Sequence, residues 1–188
     1  MSSSQIVEEA GMGRLEVFSI DAEESTLFDL IEDIFTHYWQ EIHFGVLVQG
    51  AVWEIKAPNA PKKISLLDGY VTVDFDSWHF HICIGTHQGS KKYPVDPELA
   101  AHRRTSRAEL YRRLDGTCVP QSWALRFLNG REEQQMTIFL PNPFLTDKMK
   151  VTRHPDWSKL ALWDHLRKKF LGLAPDDKDR HNNKIETH

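Results

Sequence analysis

Residues 68–89, DGYVTVDFDSWHFHICIGTHQG, concentrate the side chains of this chain best suited to chemistry. In an extended strand, alternate side chains share a face. His79, His81 and Cys83 then point one way, and Trp78, Phe80, Ile82 and Ile84 the other. The preceding run divides likewise, with Tyr70, Thr72 and Asp74 opposed to Val71, Val73 and Phe75. Closing a hairpin at Asp76-Ser77 pairs Asp74 with His79, Thr72 with His81 and Tyr70 with Cys83. That register keeps the polar and apolar sets apart, and a slip of one residue would mix them. Asp-Ser is not a preferred two-residue turn, so a longer turn is the open alternative.

Two His at i and i+2 present two ring nitrogens to one cation. A third ligand with open coordination positions lets such an ion polarise a substrate or activate water. Two His and one carboxylate are also the facial set of non-haem Fe(II) oxygenases. His79, His81 and Asp74 are therefore the expected ligands of a divalent metal, Zn or Fe. Asp74 would serve as ligand or as orienting acceptor. His87, in a Gly-bounded loop close by, would complete the set or contact a cofactor. The plainer alternative is a solvated face, with Asp74–His79 a cross-strand ion pair worth under about 1 kcal/mol. Cys83, between Ile82 and Ile84, reads as a packed thiol rather than a nucleophile.

A second polar cluster lies in AHRRTSRAELYRR. The cap-like Asp96-Pro97 predicts a helix running to about Leu114. On its wheel Arg103 and Arg107 fall on the side of Leu99, Leu110 and Leu114, and Arg112 is nearly opposite. Inward guanidinium groups need a partner. A carboxylate or phosphate ligand is one, which makes Arg103 and Arg107 candidate cofactor-binding residues. The chain's own acids, such as Glu98 and Glu109, are the other. His37 and Glu41, spaced i and i+4, would share an edge of the first helix, with His43 following.

The surrounding elements follow from periodicity. Leu27, Leu30, Ile31, Ile34, Phe35 and Tyr38 predict a helix from about Thr26 to Gln40, capped by Ser25 or Thr26. HFGVLVQGAVWEI, ISLLDGYVTVDF, SWHFHICIG, SWALRFLN and QQMTIFLP read as strands, with Asn129-Gly130 turning between the last two. A third helix starts near Pro155-Asp156, stops at Gly172, and buries Trp157, Leu160, Trp163, Leu166 and Phe170. The expected fold is a single α+β domain over 14–173, with a mostly antiparallel sheet of about five strands and three principal helices. Residues 1–13 and 174–188 read as loose ends.

Composition narrows the functional classes. Lys plus Arg is 23 against 27 Asp plus Glu, a net charge of −4, which argues against a general nucleic-acid binder. Two Cys without a CxxC fit neither a disulfide framework nor a Cys-rich zinc module. The start MSSSQIVEEAG lacks the basic and apolar regions of a signal peptide. The longest uncharged runs, 42–53 and 77–90, fall short of the roughly 18 residues of a membrane span. No Walker A, GxGxxG, HExxH or GxSxG string occurs. The expectation is a cytoplasmic protein with a small-molecule or anionic ligand, and with neither nucleic acid nor membrane as partner. It would be a binding protein or enzyme using a metal or metallocofactor at His79/His81. The competing class is a non-catalytic interaction module built on exposed aromatics and the arginine helix.

The string WHFHICIGTHQG, with AELYRR and LPNPFL downstream, resembles a family of bacterial proteins without an established activity. More distantly, DGYVTVDF…HFHIC and SWALRFLNGREEQQMTIFL resemble strand pairs of the haem-utilisation (HemS/ChuX-like) proteins. Phe127, Asn129, Gly130, Met136 and Phe139 match the character of a hairpin in that family. The resemblance implies a β-sheet domain and an intracellular haem carrier, with His79 or His81 as the axial ligand.

Overall fold

Helical and strand periodicities sort into the elements of an α+β fold in the computed structural model, which describes residues 4–48 and 50–181. In chain order these are β1 (Gln5–Glu9), β2 (Gly13–Ile20), α1 (Glu24–His37), β3 (His43–Gly45), β4 (Leu47–Val48), β5 (Ala51–Val52), β6 (Lys63–Leu67), β7 (Tyr70–Asp74), β8 (His79–Cys83), α2 (Pro97–Arg103), β9 (Thr105–Leu114), β10 (Pro120–Asn129), β11 (Gln134–Phe139) and α3 (Ala161–Leu171). A six-stranded sheet has the order β1-β2-β9-β10-β11-β3, a three-stranded sheet is β6-β7-β8, and β4-β5 is a two-stranded ribbon. Pairing is antiparallel at β1/β2, β4/β5, β6/β7 and β7/β8.

The described residues form two compact units, one within residues 1–20, 109–125 and 139–188, the other within residues 21–108 and 126–138. In the first, Leu15, Val17, Tyr111 and Ala124 form a buried cluster. Beside it Arg112, only 1% exposed, donates to Glu16, Asp176 and Asp179 at 2.7–2.9 Å. Asp179 also accepts the indole N–H groups of Trp123 and Trp163, each at 2.8 Å. Residues 174–181 are therefore not loose, because a 3-10 turn at Asp177–Arg180 delivers the Asp179 carboxylate to a buried cation. Nor is all of 1–13 loose, since β1 gains a full ladder on β2. The remaining parts of those ends, 1–3 and 182–188, lie outside the described residues.

In the second unit α1 buries Leu27, Leu30, Ile31, Ile34 and Phe35. Phe35 meets Phe44, Phe75 and Phe80 at centroid distances of 4.9–6.2 Å. The helix begins at Glu24 without a side-chain cap and closes when Tyr38 N–H donates to Ile34 O, so His37 and Glu41 do not share a helical edge. α2 starts as expected, with Asp96 accepting from Glu98 and Leu99 N–H, but ends at Arg103. The expected continuation to Leu114 is instead β9. Residues 108–112 are all buried, and β9 lies between β2 and β10, a placement that sheet pairing overrides helical periodicity to achieve. The arginines consequently part company. Arg103 is exposed at a helix end, Arg107 pairs with Glu132 at 2.8 Å, and Arg112 is the buried one.

Candidate functional site

The β7/β8 hairpin has the register that the alternation requires: Asp74 opposite His79, Thr72 opposite His81, Tyr70 opposite Cys83. Its turn is the two-residue Asp76-Ser77. Phe75 N–H donates to Trp78 O at 2.9 Å, and Asp76 takes φ 76° so that Ser77 N–H reaches Phe75 O at 3.0 Å. The β6/β7 turn is Asp68-Gly69, with φ 49° and 78°, the left-handed pair of a type I′ turn. Gly69 is required there twice over, because a Cβ would also lie 2.8 Å from the backbone of Gly85 and Thr86.

Along β8 opens a cavity of about 710 Å³, within the usual range for small-molecule sites. Phe44, Trp53, Tyr70, Trp78 and Phe80 supply an aromatic lining, and His81, Cys83, Arg103 and Gln135 supply polar groups. The wall is braced from behind. Trp78 stacks on Phe75 at 4.5 Å and 27°, and on Phe44 at 6.1 Å and 24°. Gly45 lets the backbone of Trp53 approach, since a Cβ there would sit 1.8 Å from Trp53 O. Gln135 ties the polar end together, donating to Arg103 O at 2.8 Å and accepting from Thr105 Oγ1 at 2.8 Å.

Of the expected residues, His81 and Arg103 line this cavity, and His87 stands behind them. The His87 ring meets Tyr70 edge-on at 5.0 Å, with Nδ1 3.3 Å from Arg103 and Nε2 3.4 Å from Asp68. Asp68 is itself held by Gln88 and Gly89 N–H at 2.8 and 2.9 Å. These bonds, Gln88's foremost, keep its carboxyl below the usual range. Burial pushes the Cys83 thiol up against the opposing pull of its hydrogen bond with Tyr70, and burial likewise raises Tyr70. Both are neutral at physiological pH, and Cys83 is the packed thiol expected. Arg107 takes no part in the cavity.

The metal set is not assembled. His79 and His81 do lie together, with ring centroids 4.9 Å apart. Asp74 Oδ1 instead accepts from Asp76 N–H at 2.8 Å within the turn, and His81 Nδ1 is 2.7 Å from Thr72 Oγ1. Among the described residues no group of three or more His, Cys, Asp or Glu is placed to hold a metal ion. Spacing brought two imidazoles to one strand face and could not reserve the carboxylate. The aromatic half of the cavity was missed in the sequence, although Trp53, just after a strand-like run punctuated by Gly45 and Gly50, was a signal for it.

Among the described residues no helix is long and apolar enough to cross a membrane. The chain is similar to the crystal structure of ChuX, with 13% identity over 91% of this chain and 79% of that one, at a TM-score of 0.51. At that identity the likeness is one of fold. A solved protein from Agrobacterium tumefaciens has 16% identity over 81% of this chain and 71% of that one, at a TM-score of 0.49. No curated protein matches the sequence. Residues 4–172 match a family of unknown function, DUF7676, and the chain belongs to it.

Proposed function

We propose that the cavity along β8 binds a flat conjugated small molecule of haem type, and that the protein is a cytoplasmic carrier of it. One observation carries this proposal: a single imidazole, His81, held by a hydroxyl at an aromatic-lined cavity of about 710 Å³. The residues fit such a group. Aromatic faces stack on a flat macrocycle. Thr72 engages His81 Nδ1, which leaves Nε2 as the ring nitrogen for an iron. Bound haem would bring a redox-active iron; the chain's own groups bind, orient and shield it. Both cysteines are free, in keeping with a reducing compartment. The ChuX-like fold fits this reading without establishing it.

The test is haem titration of untagged protein, followed by the Soret band, with His81→Ala and His79→Ala alongside. Saturation at one haem per chain is expected, with the band altered by His81→Ala and kept in His79→Ala. Absence of saturable binding overturns the proposal and favours an interaction module. A band unchanged by His81→Ala removes the imidazole from the site.

A further inference from the structure

We propose that the Arg103 end of the cavity recognises a carboxylate, so that its ligand is a flat conjugated molecule bearing an acid. This inference rests on the haem-type function above and specifies the ligand's chemistry. Among the described residues that line the cavity, Arg103 is the only Lys or Arg, and there is no Asp or Glu. Its neighbours in the fold are served differently. Arg107 has Glu132 at 2.8 Å and Arg131 has Glu98 at 3.1 Å.

Arg103 has His87 Nδ1 at 3.3 Å, an imidazole rather than an anion. The nearby acid, Asp68, already receives two backbone N–H groups and faces the other nitrogen of His87 at 3.4 Å. Gln135 holds the Arg103 carbonyl at 2.8 Å, so the residue's backbone is fixed at the cavity end. A positioned guanidinium beside an apolar wall is a fork that matches a carboxylate with two parallel hydrogen bonds. One cation without a Gly-rich loop or further basic groups suits a singly charged acid better than a phosphate, which recruits several donors.

The experiment separates this inference from the one beneath it. Metal-free protoporphyrin IX and its dimethyl ester are titrated in the same mixed solvent, by fluorescence, into wild type and Arg103→Gln. Neither probe carries an iron, so His81 ligation plays no part. The free acid is expected to bind wild type about 10-fold or more tightly than the ester, as for a charge-assisted hydrogen bond. Arg103→Gln should abolish that preference and leave the ester's affinity in place. Arg103 is exposed, so an unchanged melting curve is expected and checks folding. Equal affinities in wild type, or a preference that survives Arg103→Gln, overturn the carboxylate assignment and leave the cavity's function standing. Binding of neither porphyrin overturns the carboxylate assignment, and the haem titration above decides the function beneath it.

Discussion

Thr72 Oγ1 stands 2.7 Å from His81 Nδ1, directly across the β7/β8 ladder. A strand pair therefore does for this imidazole what a neighbouring carboxylate does in many metal sites: it engages one nitrogen and aims the other. The two residues are neighbours only because the hairpin closes at Asp76-Ser77, which sets every cross-strand pair at once.

Thr72→Val keeps the shape and β-propensity of the side chain and removes the hydroxyl. Haem affinity is expected to fall about 10-fold, the lower end of the effect of losing an orienting partner. Titration beside wild type reads it, and an unchanged affinity would show that the hydroxyl does not orient the ring.

Gly45→Ala attacks the aromatic wall instead. Its Cβ would meet Trp53 O at 1.8 Å, so β3 and the Trp53 backbone must separate. Overpacking of this kind costs about 1–3 kcal/mol. A lowered melting temperature together with lost porphyrin binding is the expected pair of results.

Arg112→Ala leaves the carboxylates of Glu16, Asp176 and Asp179 without their shared cation. Breaking a buried ion pair from one side costs about 3–5 kcal/mol. Denaturant unfolding followed by tryptophan fluorescence should report it, because Trp123 and Trp163 donate to the same Asp179. A loss below about 1 kcal/mol would mean that the network is solvated in solution.

Acid should loosen this network. Burial alone would raise the Asp176 carboxyl, but the Lys178 N–H and the Arg112 guanidinium outweigh it and hold it below the usual range. A carboxyl depressed in the folded state stabilises above the unfolded value, and that stability is lost as pH falls through the folded one. Wild type is therefore expected to lose melting temperature below about pH 4, and Asp176→Asn to show a shallower loss across the same window. Parallel pH profiles would remove Asp176 from the linkage.

Local pattern determined the β7/β8 hairpin, the start of α2 at Asp96-Pro97 and the end of α3 at Gly172. Each depends on residues close in sequence: alternation, a cap, a left-handed C-terminus. The turn expected at Asn129-Gly130 opens there but closes later, with Asn129 N–H on Glu133 O and the left-handed residue at Glu132. Tertiary structure decided the rest. Residues 105–114 carry helix-forming residues, yet they lie between β2 and β10, where sheet pairing outweighs the few tenths of a kcal/mol per residue that propensity supplies. That change moved Arg112 from an expected solvent face to a buried carboxylate cluster. The break at Arg104 put Arg103 at the end of α2, lining the cavity, and Arg107 on β9 beside Glu132. Asp74, legible as a ligand by register, went to the nearer Asp76 N–H at 2.8 Å. The sequence could place donors on a face; which acceptor each one reaches depends on distances between segments far apart in the chain.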